Sequence, residues 1–177
     1  MNIAIDIDDT LTESFDYFLP YVAEYFDVDE ETLRKQNISY SNLPKEWKKD
    51  EIGFCRAYYD RIVPGTPFKQ DAAWGVKRLR ELGHRIVIIT ARTDALYTDP
   101  YQTTEQELAN GGSCYDKLIC TFDKAKACVE EEISVLIDDS LTHCECCFRK
   151  GISTLCFPAR QINTRRRSTF VSRIGKK

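Results

Sequence analysis

Residues 3–10 read IAIDIDDT, an apolar run that ends in a cluster of carboxylates. The run IAIDI has the β-branched, nearly continuous apolar character of a strand that is covered on both faces. Like charges repel, and each carboxylate taken out of water has a desolvation cost, so this strand is expected to bring its acids to a compensating partner. The acids and the hydroxyls that follow them are Asp6, Asp8, Asp9, Thr10 and Thr12.

Four more short apolar runs resemble the first one. Helical patterns separate several of them, and strands that alternate with helices are typical of an α/β domain with a mostly parallel sheet. The predicted fold class is therefore α/β, with a three-layer, Rossmann-like core around a parallel sheet. The four runs lie at residues 85–90, 117–122, 134–138 and 153–158.

Three helices are predicted in this core. The first, at residues 71–82, has Asp71 as its expected N-cap and stops at Gly83. The other two cover residues 124–132 and 141–150.

The stretch 13–64 interrupts the alternation of strands and helices. Apolar residues from Phe15 onward follow helical spacing, although Pro20 should kink or restart that helix. Asp29 indicates another helix start, and a third helical segment is predicted over 45–63. The predicted organisation is a core at residues 1–12 and 65–160, a small helical cap inserted after the first strand at 13–64, and a basic, flexible tail at 161–177.

Composition and charge exclude several classes of protein. The 177 residues carry a net charge of -3, so the molecule as a whole is not expected to bind polyanions, and nucleic acid is not an expected partner. No stretch approaches the roughly 20 apolar residues of a membrane span. The N-terminus lacks the charged and apolar segments of a secretory signal. We therefore expect a cytoplasmic protein without a membrane partner; composition does not specify its oligomeric state.

The eight cysteines allow three interpretations: disulfides, a zinc site or free thiols. An even number is compatible with disulfides, but a cytoplasmic protein keeps its thiols reduced. The run HCECC at residues 143–147 has zinc-ligand residue types, yet the chain lacks the second matching half that a strong zinc motif has. Free or partly buried thiols are therefore expected, and a zinc-binding module is the alternative.

Polar groups follow the ends of four predicted strands, where open α/β sheets bind their ligands. Carboxylates that converge without a neutralising histidine suit a hard divalent cation, and Mg²⁺ is the one expected. A hydroxyl, backbone amides and a lysine suit the oxygens of a phosphate. An aspartate held against that phosphate can attack phosphorus while a second carboxylate moves the proton. The four groups are Asp6 with Asp8 and Asp9, Thr90 with Ala91 and Arg92, Lys124, and Asp138 with Asp139.

Four motifs, in this order, resemble those of the haloacid dehalogenase (HAD) superfamily of phosphatases. DIDDT at Asp6–Thr10 matches the motif Asp-x-Asp-x-Thr, and Thr90 in IITAR matches the Thr or Ser that ends a later strand. Lys124 in FDKAK matches the lysine that opens a helix, and VLIDDS at 135–140 contains the acidic pair. The ordered set covers the core and is far more specific than any single motif.

The resemblance implies a role for each matched acid. Asp6 is expected to be the nucleophile and a Mg²⁺ ligand. Asp8 is expected to be the general acid/base and to give the metal its backbone carbonyl. Asp139 is expected to be the third protein ligand, with Asp138 either behind it or ligating in its place.

The resemblance also implies which residues hold the phosphate. They are Thr90, the Ala91 amide and Lys124. Lys126 is the rival of Lys124, which is preferred because it follows the strand directly. Arg92 is expected either to reach a substrate phosphate or to pair with a surface acid.

Within the superfamily the chain looks most like the 5'-nucleotidases of the deoxyribonucleotidase type, which have a small helical cap just after the first motif. The insert holds 11 of the chain's 20 aromatic residues. Aromatic faces can stack a nucleobase, and equally a small insert needs large side chains to form any core of its own. The candidates for a base pocket are Phe15, Phe18, Tyr40 and Trp47.

These observations predict a Mg²⁺-dependent phosphomonoester hydrolase that acts through an aspartyl-phosphate. The expected substrate is a small molecule, a nucleoside or deoxynucleoside monophosphate. The alternatives are another small phosphorylated metabolite, a nucleic-acid 3'-phosphate, and a non-catalytic binding protein that retains the fold.

Overall fold

The computed structural model describes residues 1–35 and 45–157. Its strands are β1 (Asn2–Ile5), β2 (Arg85–Thr90), β3 (Lys117–Cys120), β4 (Val135–Asp138) and β5 (Ser153–Cys156). They form one parallel sheet in the order β3-β2-β1-β4-β5. Every strand that the sequence predicts is present, and the α/β fold class is confirmed.

Helices cover both faces of this sheet. Residues of a strand alternate between the two faces, so Ile3 and Ile5 pack in one core and Ala4 packs in the other. The first core includes side chains of α5 and α6, and the second includes side chains of α7 and α8, which makes three layers. The helices are α1 (Ser14–Phe26), α2 (Glu30–Lys35), α3 (Lys45–Lys49), α4 (Glu51–Ile62), α5 (Ala72–Glu81), α6 (Pro100–Asn110), α7 (Lys124–Glu130) and α8 (Leu141–Arg149).

The strand register brings the predicted motifs to one edge. Ile5 at the end of β1 is paired with Ile88 of β2 on one side and with Ile137 of β4 on the other. Asp6 and Asp138 come one residue after these paired positions. The carboxyl ends of the three central strands therefore lie side by side.

The insert forms α1 to α4 and has a hydrophobic core of its own. Helix α1 runs through Pro20 as one helix, so the restart that the sequence offered beside a kink does not occur. The start predicted at Asp29 is confirmed, because its Oδ2 accepts a hydrogen bond from the Thr32 amide at 2.8 Å. The single segment predicted over 45–63 is two helices, which are separated at Asp50.

Helix α4 attaches the insert to the loop that follows β2. The Asp60 carboxylate accepts a hydrogen bond from the Thr98 amide at 3.2 Å, and Arg56 Nε donates to the Ala95 carbonyl at 3.0 Å. Tyr97 of the same loop belongs to the hydrophobic core of the insert. The insert therefore packs beside the carboxyl edge of the sheet.

Helix α6 is the one core helix among the described residues that the sequence analysis does not predict. Its buried residues include two threonines and a glutamate, so it lacks the apolar stripe that identifies a helix in a sequence. Its start is nevertheless marked, because Asp99 caps the Gln102 amide and Pro100 follows as the first helical residue.

Helix α5 begins and ends close to the predicted positions. Asp71 is the N-cap residue, as predicted, but its φ of 63° is left-handed and its side chain makes no capping hydrogen bond. The predicted stop is confirmed: the helix ends at Glu81, and Gly83 has the positive φ of 81° that glycine tolerates.

Two predictions fall outside the described residues, namely Tyr40 and the tail at 161–177. Among the residues that are described, no helix combines the length and apolar character needed to cross a membrane.

Candidate active site

The chain turns sharply directly after β1. The amides of the three residues that follow Asp9, and the hydroxyl of Thr12, all donate to the carbonyl of Ile7. Asp9 has a left-handed φ of 53°, and its Oδ1 accepts a hydrogen bond from the Phe15 amide at 3.1 Å. Asp9 and Thr12 therefore shape this turn.

Lys124 lies at the start of α7 and is 2% exposed. Its Nζ is 2.7 Å from Asp6 Oδ1 and 2.8 Å from Asp138 Oδ2. Burial alone would lower the pKa of Lys124, but the two carboxylates outweigh burial and hold the pKa above its ordinary value. Lys126 has an exposed side chain that pairs with Glu130. The structure thus brings Lys124, and not Lys126, to the acids.

Three carboxylates converge on the carboxyl edge of the sheet. Asp6, Asp138 and Asp139 each offer one ligand atom within 4.8 Å of the others, and no other such group of His, Cys, Asp or Glu occurs among the described residues. Both Asp138 oxygens are occupied, one by Lys124 Nζ and one by the Ser140 amide, each at 2.8 Å. Asp139 is partly exposed, and its carboxylate has no hydrogen bond within the described part of the chain. Asp139 is therefore the freer of the pair to bind an ion.

Negative charge is in excess at this cluster. Burial raises the pKa of Asp139 to about 8, and the Asp6 and Asp138 carboxylates add to the effect. Burial likewise raises the pKa of Asp6 to about 6, against the opposing influence of Lys124. One ammonium does not neutralise three carboxylates, so the cluster has the electrostatics of a cation site with oxygen ligands.

Thr90 ends β2 at the same edge. Its hydroxyl is fully buried and has no hydrogen-bond partner among the described residues, and the Thr10 hydroxyl of the first motif is in the same situation. A buried hydroxyl without a partner is costly unless a ligand satisfies it. Ala91 follows directly and carries its amide at the end of the strand. These groups lie where the sequence predicts a phosphate.

The Asp8 carboxylate lies outside the three-acid group and contacts Arg92. Arg92 Nη2 and Nε donate to its two oxygens at 2.8 and 3.1 Å, and Ser14 Oγ donates to Oδ1 at 2.8 Å. Burial would raise the pKa of Asp8, but the guanidinium and these hydrogen bonds lower it below its ordinary value. The Asp8 side chain is 26% exposed and that of Arg92 only 2%, so solvent reaches the carboxylate but not its partner.

Arg92 pairs with acids in the structure, but neither of them is an exposed surface acid. Its second partner is Glu107 of α6, a buried acid rather than a surface one, with Oε2 at 2.5 Å from Nη1. Thr104 Oγ1 accepts a longer hydrogen bond at 3.4 Å. The hydrogen bonds of Arg92 within the described residues go to Asp8, Glu107 and Thr104, and its contact with a substrate phosphate stays a prediction.

The aromatic candidates for a base pocket lie in the hydrophobic core of the insert. Phe15, Phe18 and Trp47 are all buried. The Trp47 ring packs against Phe15 and Phe54, with centroids 6.3 and 6.1 Å apart. The Phe18 ring packs against Tyr17 and Tyr59, with centroids 5.9 and 5.3 Å apart. The alternative reading, that the insert uses these residues as its own core, therefore describes all three.

The HCECC run lies on α8. Cys144 and Cys147 are buried, Cys146 is exposed, and all eight cysteines are free thiols. No cysteine belongs to a group placed to hold a metal in the described part of the chain, so the zinc alternative has no support. The histidine of the run, His143, has its Nδ1 3.5 Å from Asp138 Oδ2.

Two residues that contact the site are missed by the sequence analysis. Ser14 begins α1 and donates to Asp8, but a serine six residues after that acid has no distinguishing signal. Glu107 lies on the unpredicted helix α6. The pair Asp99–Pro100, an N-cap followed by a proline, was the signal that could have placed this helix.

No model of a known protein family matches the sequence, and no curated protein matches it at a significant level. Solved structures do match. A predicted phosphatase from Clostridium acetobutylicum has a TM-score of 0.63 at 17% identity, over 88% of this chain and 83% of that one. CbbY from Rhodobacter sphaeroides, in complex with phosphate, has a TM-score of 0.60 at 13% identity, over 96% and 90% of the two chains.

A third match is a HAD family hydrolase from Deinococcus radiodurans, solved with bound phosphate and sodium. Its TM-score is 0.60 at 13% identity, over 86% of this chain and 78% of that one. Structural similarity at 13–17% sequence identity is evidence for the fold alone. The chain therefore has the α/β fold of HAD-family hydrolases.

Proposed function

We propose that the protein is a Mg²⁺-dependent phosphomonoester hydrolase that forms an aspartyl-phosphate on Asp6. The observation that carries the proposal is the convergence, at one sheet edge, of three carboxylates, the buried ammonium of Lys124 and the unpartnered hydroxyl of Thr90. Such a set suits a cation on one side and a phosphate on the other. The two proteins of the same fold that were solved with phosphate, one of them a HAD family hydrolase, support it.

Mg²⁺ would be held by Asp6, Asp139 and the backbone carbonyl of Asp8, with Asp138 as the alternative ligand. The donors fit this ion because they are all oxygens and because the cluster carries excess negative charge. When bound, the ion supplies positive charge that offsets the carboxylates and the phosphate oxygens.

In the first step, an Asp6 carboxylate oxygen bonds to phosphorus while the bond between phosphorus and the leaving oxygen breaks. The Asp8 carboxylate, which its lowered pKa leaves ionised in the free protein, first takes up a proton from the phosphate monoanion of the substrate and then donates it to that oxygen, so an alcohol leaves. The Thr90 hydroxyl and the Ala91 amide donate hydrogen bonds to the phosphoryl oxygens, and the Lys124 ammonium offsets their charge. The products of this step are the alcohol and an acyl phosphate on Asp6.

In the second step, water attacks phosphorus and the Asp8 carboxylate accepts a proton from it. The bond between phosphorus and the Asp6 oxygen breaks, which releases inorganic phosphate and restores the Asp6 carboxylate. The lowered pKa of Asp8 suits this step, because the group is a carboxylate at neutral pH. Lys124 Nζ, 2.7 Å from Asp6 Oδ1, stabilises the carboxylate as it leaves.

The substrate class that we propose is a nucleoside or deoxynucleoside monophosphate. Its support is the resemblance of the motif order and of the insert's position to the 5'-nucleotidases. The buried aromatic residues of the insert do not add to this support. Sugar phosphates are the second class to test, since a CbbY mutant of the same fold was solved with xylulose bisphosphate.

The eight free thiols favour a reducing compartment, and a cytoplasmic location is part of the proposal.

The test is phosphate release with Mg²⁺, with and without EDTA, across nucleoside 5'- and 3'-monophosphates, sugar phosphates and a 3'-phosphorylated oligonucleotide. We expect release that EDTA abolishes and that is fastest with nucleoside monophosphates. Asp6→Asn should fold normally and release no phosphate, because an amide oxygen does not replace the carboxylate nucleophile. Full activity of this variant, or release that is insensitive to EDTA, would refute the mechanism. Faster release from another class would refute the substrate and keep the mechanism.

A further inference from the structure

Arg92 is the largest of the fully buried side chains among the described residues. A guanidinium taken out of water is costly unless its donors are paired. Two of its hydrogen bonds go to Asp8, one to Glu107 and one to Thr104. Arg92 therefore joins a carboxylate that solvent reaches to one that solvent does not reach.

The two edges of the guanidinium are held by different elements. Glu107 and Thr104, both on α6, accept hydrogen bonds from Nη1. On the other edge, Nη2 and Nε donate one hydrogen bond to each oxygen of Asp8. The group is planar, so fixing one edge fixes the direction of the other. The Glu107 side chain has no exposure, and α6 packs against the sheet, so this support is rigid.

A third donor completes the environment of Asp8. Ser14 Oγ donates to Asp8 Oδ1 at 2.8 Å and lies 2.7 Å from Thr12 Oγ1. The carboxylate is thus oriented by donors from two separate parts of the chain. The 26% of the Asp8 side chain that stays exposed is open to an approaching substrate.

We propose that Glu107 and Arg92 are positioning residues: Glu107 holds the guanidinium of Arg92, and Arg92 orients the Asp8 carboxyl toward the leaving-group oxygen. The inference rests on the proposed function, in which Asp8 is the acid. It adds a buried anchor, 15 positions beyond Arg92 along the chain, that acts on Asp8 through the guanidinium.

An ion pair that served stability alone would behave differently in kinetics. Its loss would slow all substrates by the same factor. Loss of acid positioning instead slows the substrates whose leaving group most needs a proton. An alkyl phosphomonoester releases an alkoxide that needs protonation, whereas p-nitrophenyl phosphate releases a phenolate that needs little.

The experiment compares kcat/KM on p-nitrophenyl phosphate and on the alkyl phosphomonoester that the wild type hydrolyses fastest in the panel above. Glu107→Gln keeps the shape of the side chain, and we expect it to lower kcat/KM on the alkyl ester by a factor on the order of ten. Arg92→Lys keeps the charge but not the two-pronged guanidinium. It should lower the same value by roughly 100-fold, within the range of general acid catalysis. Loss on p-nitrophenyl phosphate should stay within about threefold. Glu105→Gln, an exposed glutamate on the same helix, is the matched control and should change neither value.

The outcomes separate the inference from the function on which it rests. Equal losses on both substrates, or no loss on either, overturn the positioning role while the wild type remains an active phosphatase. A wild type that, like Asp6→Asn, hydrolyses neither substrate overturns the proposed function and the inference with it. Thermal melting of each variant shows whether it folds. If Glu107→Gln does not fold, Arg92→Lys decides through the ratio of its loss on the alkyl ester to its loss on p-nitrophenyl phosphate.

Discussion

Lys124 neutralises two carboxylates at once from a position that solvent hardly reaches. Its Nζ contacts Asp6 and Asp138, and the side chains of all three are at most 7% exposed. A buried ion pair is weak evidence for stability, yet removal of one partner leaves uncompensated charge. The lysine therefore has two separable consequences, one for the fold and one for the proposed reaction.

We expect Lys124→Met to lower both stability and turnover. Loss of the ammonium leaves buried carboxylates unpaired, which costs about 3–5 kcal/mol of unfolding free energy. Turnover should fall by roughly 100-fold, because the charge on the phosphoryl oxygens loses its preorganised partner. Lys126→Met is the matched control, since that side chain is 69% exposed. Urea unfolding in EDTA and phosphate release measure the two effects, and a larger loss in the control would reverse the assignment.

Single residues differ in how far the sequence could predict their surroundings. Asp6, Thr90 and Lys124 could be placed together because the carboxyl ends of parallel strands share one edge. The partners of Arg92 could not, because they depend on the direction of a loop side chain. They depend also on Glu107, whose helix carries no recognisable apolar pattern.

At the scale of elements, strands were easier to predict than their arrangement. Each strand is a short apolar run between polar segments, and such a run indicates a strand whatever its neighbours are. The order β3-β2-β1-β4-β5 is a property of pairing, which no single run contains. Helix α6 was not predicted because most of the residues that it buries are threonines and a glutamate, so its sequence shows no apolar residues at helical spacing.

The insert offers a prediction at this scale through the chain's two tryptophans. Trp47 is 6% exposed within the core of α1 to α4, and Trp74 on α5 is 68% exposed. Trp47→Ala should cost about 3–5 kcal/mol of unfolding free energy, because it leaves a cavity among packed rings. Trp74→Ala should stay within about 0.5 kcal/mol. Denaturant unfolding measures both.

The same residue tests the base pocket. Trp47→Phe keeps an aromatic core, and we expect it to leave the ranking of nucleoside monophosphates by kcat/KM unchanged. A reordered ranking would show that the ring contacts the base, in conflict with its burial.

Over the whole molecule, the excess of buried carboxylates makes stability depend on pH. Burial raises the pKa of Asp139 to about 8, and those of Asp6 and Asp9 to about 6, from an ordinary value of 3.8. Between about pH 4 and pH 8 these three acids bind more protons in the native state than in the unfolded chain. The free energy of unfolding therefore falls as pH rises through this range. Asp8 and Asp138 have lowered pKa values, and their contribution is lost only as pH falls below about 4.

We therefore expect the melting temperature in EDTA to fall between pH 5 and pH 8, by at least about 3 °C, the shift that ~1 kcal/mol produces in a chain of this size. Mg²⁺ binds the ionised carboxylates, so it should raise the melting temperature more at pH 8 than at pH 5, where protons occupy the ligand oxygens. Asp139→Asn removes the acid with the highest pKa of the cluster and should flatten both dependences, whereas the exposed Asp94→Asn should leave them intact. Scanning calorimetry decides: a melting temperature that rises with pH in EDTA, or an equal effect of Mg²⁺ at both pH values, is incompatible with a cation site built from these carboxylates.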